Sequence, residues 1–143
     1  NLCTRHVIVR SSWVYGIGRD FVNTILEAAN NPSVTSMEVA ENEFASPTSA
    51  TELAKVIEQL IDNDCLGIYH AVCGGFSSRF EFAQAILKAI HAEDQLTLKP
   101  TSNSEDTNYS VLDNMMLRLE DFAQPVSWQQ ALKDYITTTG GND

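Results

Sequence analysis

The sequence predicts an α/β protein in which short parallel strands carry amphipathic helices packed against them. Three observations lead there. Short β-branched runs alternate with longer stretches whose apolar residues recur at helical spacing. Capping-box patterns beginning at Ser49, Ser78 and Ser127 stand at the head of three of those stretches. Glycine, asparagine and proline mark the boundaries between them.

Residues 6–9 read as a strand, because Val7, Ile8 and Val9 are β-branched or apolar without helical spacing. A polar and aromatic loop follows. Asp20 is placed to cap a helix over residues 20–29, with Phe21, Val22, Ile25, Leu26 and Ala29 on one face. Asn30, Asn31 and Pro32 stop it. Residues 34–40 read as a strand and residues 41–47 as a loop. Ser49 and Glu52 then open a helix that runs to about Asn63, with a predicted inner stripe of Ala50, Leu53, Ala54, Ile57, Leu60 and Ile61. Residues 67–72 form a strand apolar on both faces, as in the interior of a parallel sheet.

Ser78 and Glu81 open a helix that buries Phe82, Ala83, Ile86, Leu87 and Ile90. Residues 96–98 form a strand stopped before Pro100, and residues 101–108 are polar. A short helix starts near Asp113. The last helix is headed by Ser127 and buries Trp128, Ala131, Leu132, Tyr135 and Ile136, and residues 137–143 are expected to fray. The whole chain, residues 1–143, is read as one domain.

Composition narrows the function. The net charge of −10 argues against nucleic acid and anionic membranes as partners, since both attract basic patches. No apolar run reaches the roughly 18 residues of a membrane span. The start, Asn1-Leu-Cys-Thr-Arg-His, does not read as a signal peptide. Cys3, Cys65 and Cys73 lack metal-ligand spacing and are expected to be free thiols of a cytoplasmic protein, Cys73 being the one with a case for reactivity. The strands at Val7 and Val72 look buried on both faces although only four strands are predicted. That suggests a fragment of a larger sheet, or one covered by oligomerisation such as a homodimer.

The chemically richest stretch is Val7-Ile-Val-Arg-Ser-Ser-Trp-Val-Tyr-Gly16. In open α/β sheets, ligands sit beyond the carboxyl ends of strands. Arg10, Ser11, Ser12, Trp13 and Tyr15 would bring a cation, two hydroxyls and two flat rings to such an end. The plainer reading is that the rings cap a core. Elsewhere the signals are weak. His6, His70 and His91 are scattered, and Glu41 and Glu43 form a loop carboxylate pair without histidine. No serine or cysteine has a visible base. No glycine-rich dinucleotide turn is present, and no tyrosine is followed by a lysine four residues later.

The run Arg-Ser-Ser-Trp-Val-Tyr-Gly ending at Gly16, followed by Gly18-Arg-Asp-Phe-Val22, resembles the dTDP-4-dehydrorhamnose reductase family of extended short-chain dehydrogenase/reductases. The resemblance continues in order at Ser46-Pro-Thr48, Gly67-Ile-Tyr-His70, Glu81-Phe-Ala83 and Ser110-Val-Leu-Asp-Asn114. It implies the C-terminal, substrate-binding part of an NAD(P)-binding, Rossmann-like reductase. The parent chain would use NADPH or NADH to reduce the 4-keto group of a nucleotide-linked deoxysugar. The partner of this part would be a missing N-terminal dinucleotide-binding domain carrying the glycine-rich turn and a Tyr-x-x-x-Lys pair, so that no catalytic residue and no bound cofactor would be expected here alone.

The resemblance places Ser12, Trp13, Asp20 and Phe21 at the substrate; Arg19 and Arg79 are the cations expected beside it, and Arg10, Ser11 and Ser12 are read on the cofactor side. Trp13 would lie beside the sugar ring. The sequence departs from the family pattern at Asp20, Asn42, Glu43, Ala45 and Arg79, and at Asp106-Thr107, where the family carries Arg-Pro. An arginine suits a diphosphate and an aspartate repels one, so Arg79 or Arg19 is expected to take over, or the substrate differs. The changes at Asp20, Glu43, Arg79 and Asp106 also motivate the alternative of a noncatalytic binding or regulatory subunit. A self-contained α/β interaction domain is the third reading.

Overall fold

The computed structural model describes residues 4–102 and 105–140. The elements in chain order are β1 (Val7–Arg10), β2 (Val14–Tyr15), α1 (Phe21–Asn30), β3 (Ser36–Ala40), β4 (Glu43–Ala45), β5 (Thr48–Ser49) and α2 (Ala50–Asp62). There follow β6 (Gly67–His70), β7 (Ser77–Ser78), α3 (Arg79–Ala89), β8 (Thr97–Thr101), β9 (Asn108–Tyr109), α4 (Met115–Leu119) and α5 (Trp128–Thr139). The α/β class follows the predicted alternation, but the described strands form several small sheets. β1 pairs in parallel with β6, β2 with β5, and β3 with β8, while β4 lies between antiparallel β7 and parallel β9. The two- and three-residue strands are too short to show a period of two, so the sequence concealed them.

Helix α1 turns Val22, Ile25 and Ala29 inward as its stripe predicts. Helix α3 buries Phe82, Ala83, Ile86 and Leu87, and both halves of its capping box form between Ser78 and Glu81. At α2 and α5, Ser49 and Ser127 accept from the N–H groups of Glu52 and Gln130. One core gathers Tyr15, Ile25, Phe82, Ile86, Trp128 and Leu132. A second joins Val56, Leu60, Tyr69, Ala71 and Leu117 beneath the β1–β6 pair. Among the described residues, no helix is long and apolar enough to cross a membrane.

Several expectations are corrected. The inner face of α2 is Glu52, Val56 and Leu60, whereas Ile57 and Ile61 are exposed. Burial of Glu52 is offset because its carboxylate accepts from Val126 N–H at 3.2 Å and pairs with Lys55. The β1 and β6 strands are not covered on both faces: Ile8 and Ile68 are register partners and are 44% and 48% exposed. Strand β6 ends at His70, short of Val72.

Strand β8 continues through Pro100. Thr97 N–H donates to Thr35 O. Donors alternate along a strand, so Pro100 falls where its missing N–H faces away from β3. Helix α5 extends to Thr139, so fraying does not begin at residue 137. Cys3 and the last part of the expected tail, residues 141–143, lie outside the described residues, as do residues 103–104 of the polar stretch.

Beyond β6 the chain is clamped by one side chain. Buried Asn114 accepts from Val72 N–H at 2.9 Å and donates to Val72 O at 2.7 Å, which completes a backbone unit that has no strand partner. Asn114→Ala would leave both groups unpaired. It is expected to lower the free energy of unfolding by about 2–4 kcal/mol. Urea titration checks this, and a loss below about 0.5 kcal/mol, less than one ordinary hydrogen bond, would show that the clamp is dispensable.

Candidate functional site

The site is built where β1 runs out. Arg10, the last residue of β1, is exposed and is the register partner of His70. The Ser11 hydroxyl is buried without a hydrogen-bond partner among the described residues. Ser12 Oγ donates to Ser46 O at 2.8 Å. Trp13 has φ of 39°, a left-handed conformation that is strained for a bulky side chain. Its carbonyl accepts from Thr48 N–H at 3.2 Å, which helps to hold that geometry.

The strained turn delivers the indole to a cation. The Arg79 guanidinium carbon lies 4.3 Å from the Trp13 ring centroid and 5.0 Å from that of Phe21. Glu43 Oε2 accepts from Arg79 Nε at 3.0 Å. Phe82 underlies the group, with centroids 6.5 Å from Trp13 and 5.8 Å from Phe21 in stacked orientations. Trp13, Phe21 and Arg79 are thus brought together, with Glu43, which the sequence offered only as one of a loop carboxylate pair and as a departure from the family pattern, as a further member.

Asp20 sits beside this group but its carboxylate is committed. Oδ1 accepts from Asn23 N–H at 3.0 Å, and Oδ2 accepts from Gly16 N–H at 2.9 Å and Asn23 Nδ2 at 3.0 Å. Gly16 is required by close approach, since a Cβ there would come within 3.0 Å of Ala50 Cβ. Arg19 is exposed on the same bend, and among the described residues no hydrogen bond, ion pair or ring contact joins it to Trp13 or Arg79.

A loop that carried weight only through the family resemblance is the buttress. Ser46 and Thr48 are 1% and 0% exposed. Ser46 Oγ donates to Gly75 O at 2.7 Å, Thr48 Oγ1 donates to Ser46 O at 3.0 Å, and Thr48 Oγ1 accepts from Cys73 N–H at 3.2 Å. A cavity of about 640 Å³ opens elsewhere, between α2 and α5 near Lys55 and Asp134. It shares Tyr15, Gly16 and Ile17 with the site loop but includes none of the residues expected at the substrate or the cofactor, so the candidate chemistry is assigned to the cation and rings rather than to this hollow. Burial, more than the nearby Cys73, Tyr135 and acidic groups, pushes the Tyr15 hydroxyl far above its ordinary pKa, which leaves it a neutral packing group. Among the described residues, no group of three or more His, Cys, Asp or Glu is arranged to hold a metal.

The fold is that of an α/β domain, with a polar, aromatic cluster at a strand's carboxyl end as its candidate site. The chain belongs to the RmlD substrate binding domain family, whose model matches residues 1–140. It is 32% identical over 134 residues to the spore coat polysaccharide biosynthesis protein SpsK of Bacillus subtilis, covering 90% of this chain and 46% of that protein. It is 28% identical over 159 residues to the dTDP-4-dehydrorhamnose reductase of Escherichia coli K12, covering 96% and 52%. A crystal structure of the Bacillus anthracis dTDP-4-dehydrorhamnose reductase with NADP superposes with a TM-score of 0.86 at 30% identity, over 95% of this chain and 49% of that one. The chain spans about half the length of the curated relatives it matches.

These matches correct two expectations. The likeness is not confined to a C-terminal portion: the family model reaches residues 1–140, and three reductase structures cover 93%, 94% and 95% of the chain. The α/β, Rossmann-like likeness therefore belongs to this chain from end to end. The missing N-terminal dinucleotide-binding domain, expected as a partner from the resemblance and from strands read as buried on both faces, is corrected likewise: the matches span nearly the whole chain, and Ile8 and Ile68 face outward.

Cys73, the cysteine with a case for reactivity, is 1% exposed, and burial pushes its thiol pKa up to about 11 from 9.0. The neutral thiol is the form the fold favours. Its stabilising effect is intact below about pH 9 and is lost as the pH rises through about 11. Iodoacetamide at about pH 8, below both values, should therefore modify Cys73 only after denaturation, while half-buried Cys65 reacts in the native protein. Peptide mass mapping decides it; native alkylation of Cys73 at the rate of Cys65 would contradict the burial argument.

Proposed function

We propose that the protein is an NAD(P)H-dependent oxidoreductase of the dTDP-4-dehydrorhamnose reductase type, which reduces the 4-keto group of a nucleotide-linked deoxysugar. The observation that carries this reading is the strained Trp13, φ 39°, held against Arg79 and Phe21 at the carboxyl end of β1. The family membership and the reductases among its relatives support it.

In this reading residues 1–143 act as one domain. Trp13, Phe21 and Ser12 position the sugar, and Arg79 and Arg19 face its anionic part, with Glu43 aligning the Arg79 guanidinium. Asp20 acts through the loop it pins rather than by offering a free carboxylate. Arg10, Ser11 and Ser12 face the cofactor, and the unpartnered Ser11 hydroxyl suits a polar group arriving at the strand end. When bound, the reduced nicotinamide supplies the hydride. The residues of this chain hold the ketone in place, which is work of orientation. A cytoplasmic setting fits the free thiols of Cys65 and Cys73.

The second reading, a noncatalytic binding or regulatory subunit, draws on the buried tyrosines. Tyr15 and Tyr69 are held neutral well above their ordinary range, chiefly by burial, so neither is poised for proton transfer.

Consumption of NADPH in the presence of dTDP-4-dehydrorhamnose separates the two readings. Turnover supports the reductase, whereas binding without turnover supports the subunit. In the full chain, Trp13→Ala is expected to lower kcat/KM by roughly tenfold or more, through loss of orientation. Arg79→Met is expected mainly to raise KM. Wild-type kinetics in both variants would remove this cluster from the site.

A further inference from the structure

Helix α5 borders two different hollows. The face with Asp134 lines the larger one, beside α2. Another face, carrying Trp128, Leu132, Lys133 and Ile136, closes a second hollow of about 420 Å³ against α3. That volume falls in the range of small-molecule sites. Its floor is apolar and fixed: Leu132 is 3% exposed, and the Trp128 ring, 7% exposed, meets Phe82 edge-on with centroids 5.7 Å apart. Ala85 and Ala89, one turn apart on α3, leave the space between the helices open.

The sign of its charge sets this hollow apart. The chain has 19 Asp and Glu against 9 Lys and Arg. Yet the charged residues lining the hollow are Lys88 and Lys133, joined by His91, and no Asp or Glu is among them. Lys88 and His91 stand at the C-terminal end of α3, where the helix dipole favours a cation. That accounts for those two and not for Lys133, which stands midway along α5 and lines the same space. Among the described residues, none of the three side chains makes an ion pair. The neighbouring acid is held elsewhere: Asp134 Oδ1 accepts from Gln130 Nε2 at 2.7 Å.

We propose that the hollow between α3 and α5 binds a small organic anion with an apolar body, of the alkyl carboxylate class. The body lies along Leu132 and Ile136, and the carboxylate meets Lys88 and Lys133. A lysine carries its charge on an apolar stem, which suits a rim around an apolar floor. A cleft lined by one sign of charge concentrates ions of the other, which offsets the repulsion of an acidic chain. From Trp128 to Thr137 the hollow follows nine residue steps of α5, about 13 Å, a length that suits an extended chain better than a compact inorganic ion. No residue of the Trp13–Arg79 cluster lines this hollow, so the site stands apart from the function proposed above.

Calorimetric titration of the full chain with octanoate tests it. Acetate supplies the head without the body, and octylamine the body with the opposite charge. Octanoate is expected to bind saturably at one site, and the other two far more weakly. Lys88→Gln/Lys133→Gln should weaken octanoate binding about tenfold. Lys99→Gln, which removes an exposed lysine on β8 outside the hollow, should bind as the wild type does. Ala89→Phe, at an exposed helix position, fills the hollow and should abolish saturable binding. Matching thermal unfolding midpoints exclude a folding defect, and Lys133→Gln alone serves if the double variant does not fold. Absence of saturable octanoate binding overturns the proposal. So does equal affinity for octylamine, equal weakening by Lys99→Gln, or wild-type affinity in either the Ala89→Phe or the lysine variant. All of these outcomes leave the proposed reductase function standing.

Discussion

Polar backbone can be buried only where every donor and acceptor finds a partner, and that constraint shapes the centre of this molecule at Ser46, Pro47 and Thr48. All three residues are almost fully buried. Ser46 O accepts from both Ser12 Oγ and Thr48 Oγ1, Thr48 N–H reaches Trp13 O, and Cys73 N–H reaches Thr48 Oγ1. Three segments far apart in sequence, the loop after β1, the entry to α2 and the chain beyond β6, are thereby held in one register. The conformation of Trp13 depends on this set, because its own preferences oppose a positive φ.

Upon that frame sits an electrostatic arrangement that a strongly acidic chain must build locally. Arg79 lies over Trp13 and Phe21, so its charge rests on the negative faces of two rings while Glu43 fixes its Nε. Both side chains of the ion pair are 27% exposed, which leaves the pair screened enough that its value lies in orientation rather than in stability. Asp20 contributes at one remove. By accepting from Gly16 and Asn23 it pins the bend between β2 and α1 and so sets where Phe21 begins the helix.

The division into small sheets puts two different clusters on one short strand. Strand β4 is only three residues long, yet it borders the Arg79 cluster through Glu43 and the exposed aromatic corner through Phe44. The outward-facing Ile8 and Ile68 illustrate the opposite case, in which parallel pairing is complete but only the face toward Val56 and Leu60 is covered.

By itself the sequence determined the α/β alternation, the inward faces of α1, α3 and α5, and the helix start at Ser78, because helical periodicity and capping are local properties written within a few residues. It also exposed Trp13 as a candidate, since a ring in a polar loop after a strand stands out. It misplaced the inner face of α2, where Glu52 rather than Ile57 turns inward, because what permits a buried carboxylate is Val126, 74 residues away. Only the tertiary structure decided that Arg79 meets Trp13, that Glu43 is the third member, and that Phe44, Phe76 and Tyr109 share a corner. Those contacts join residues separated by tens of positions, and no local preference records which of them the folded chain brings within hydrogen-bonding or stacking distance.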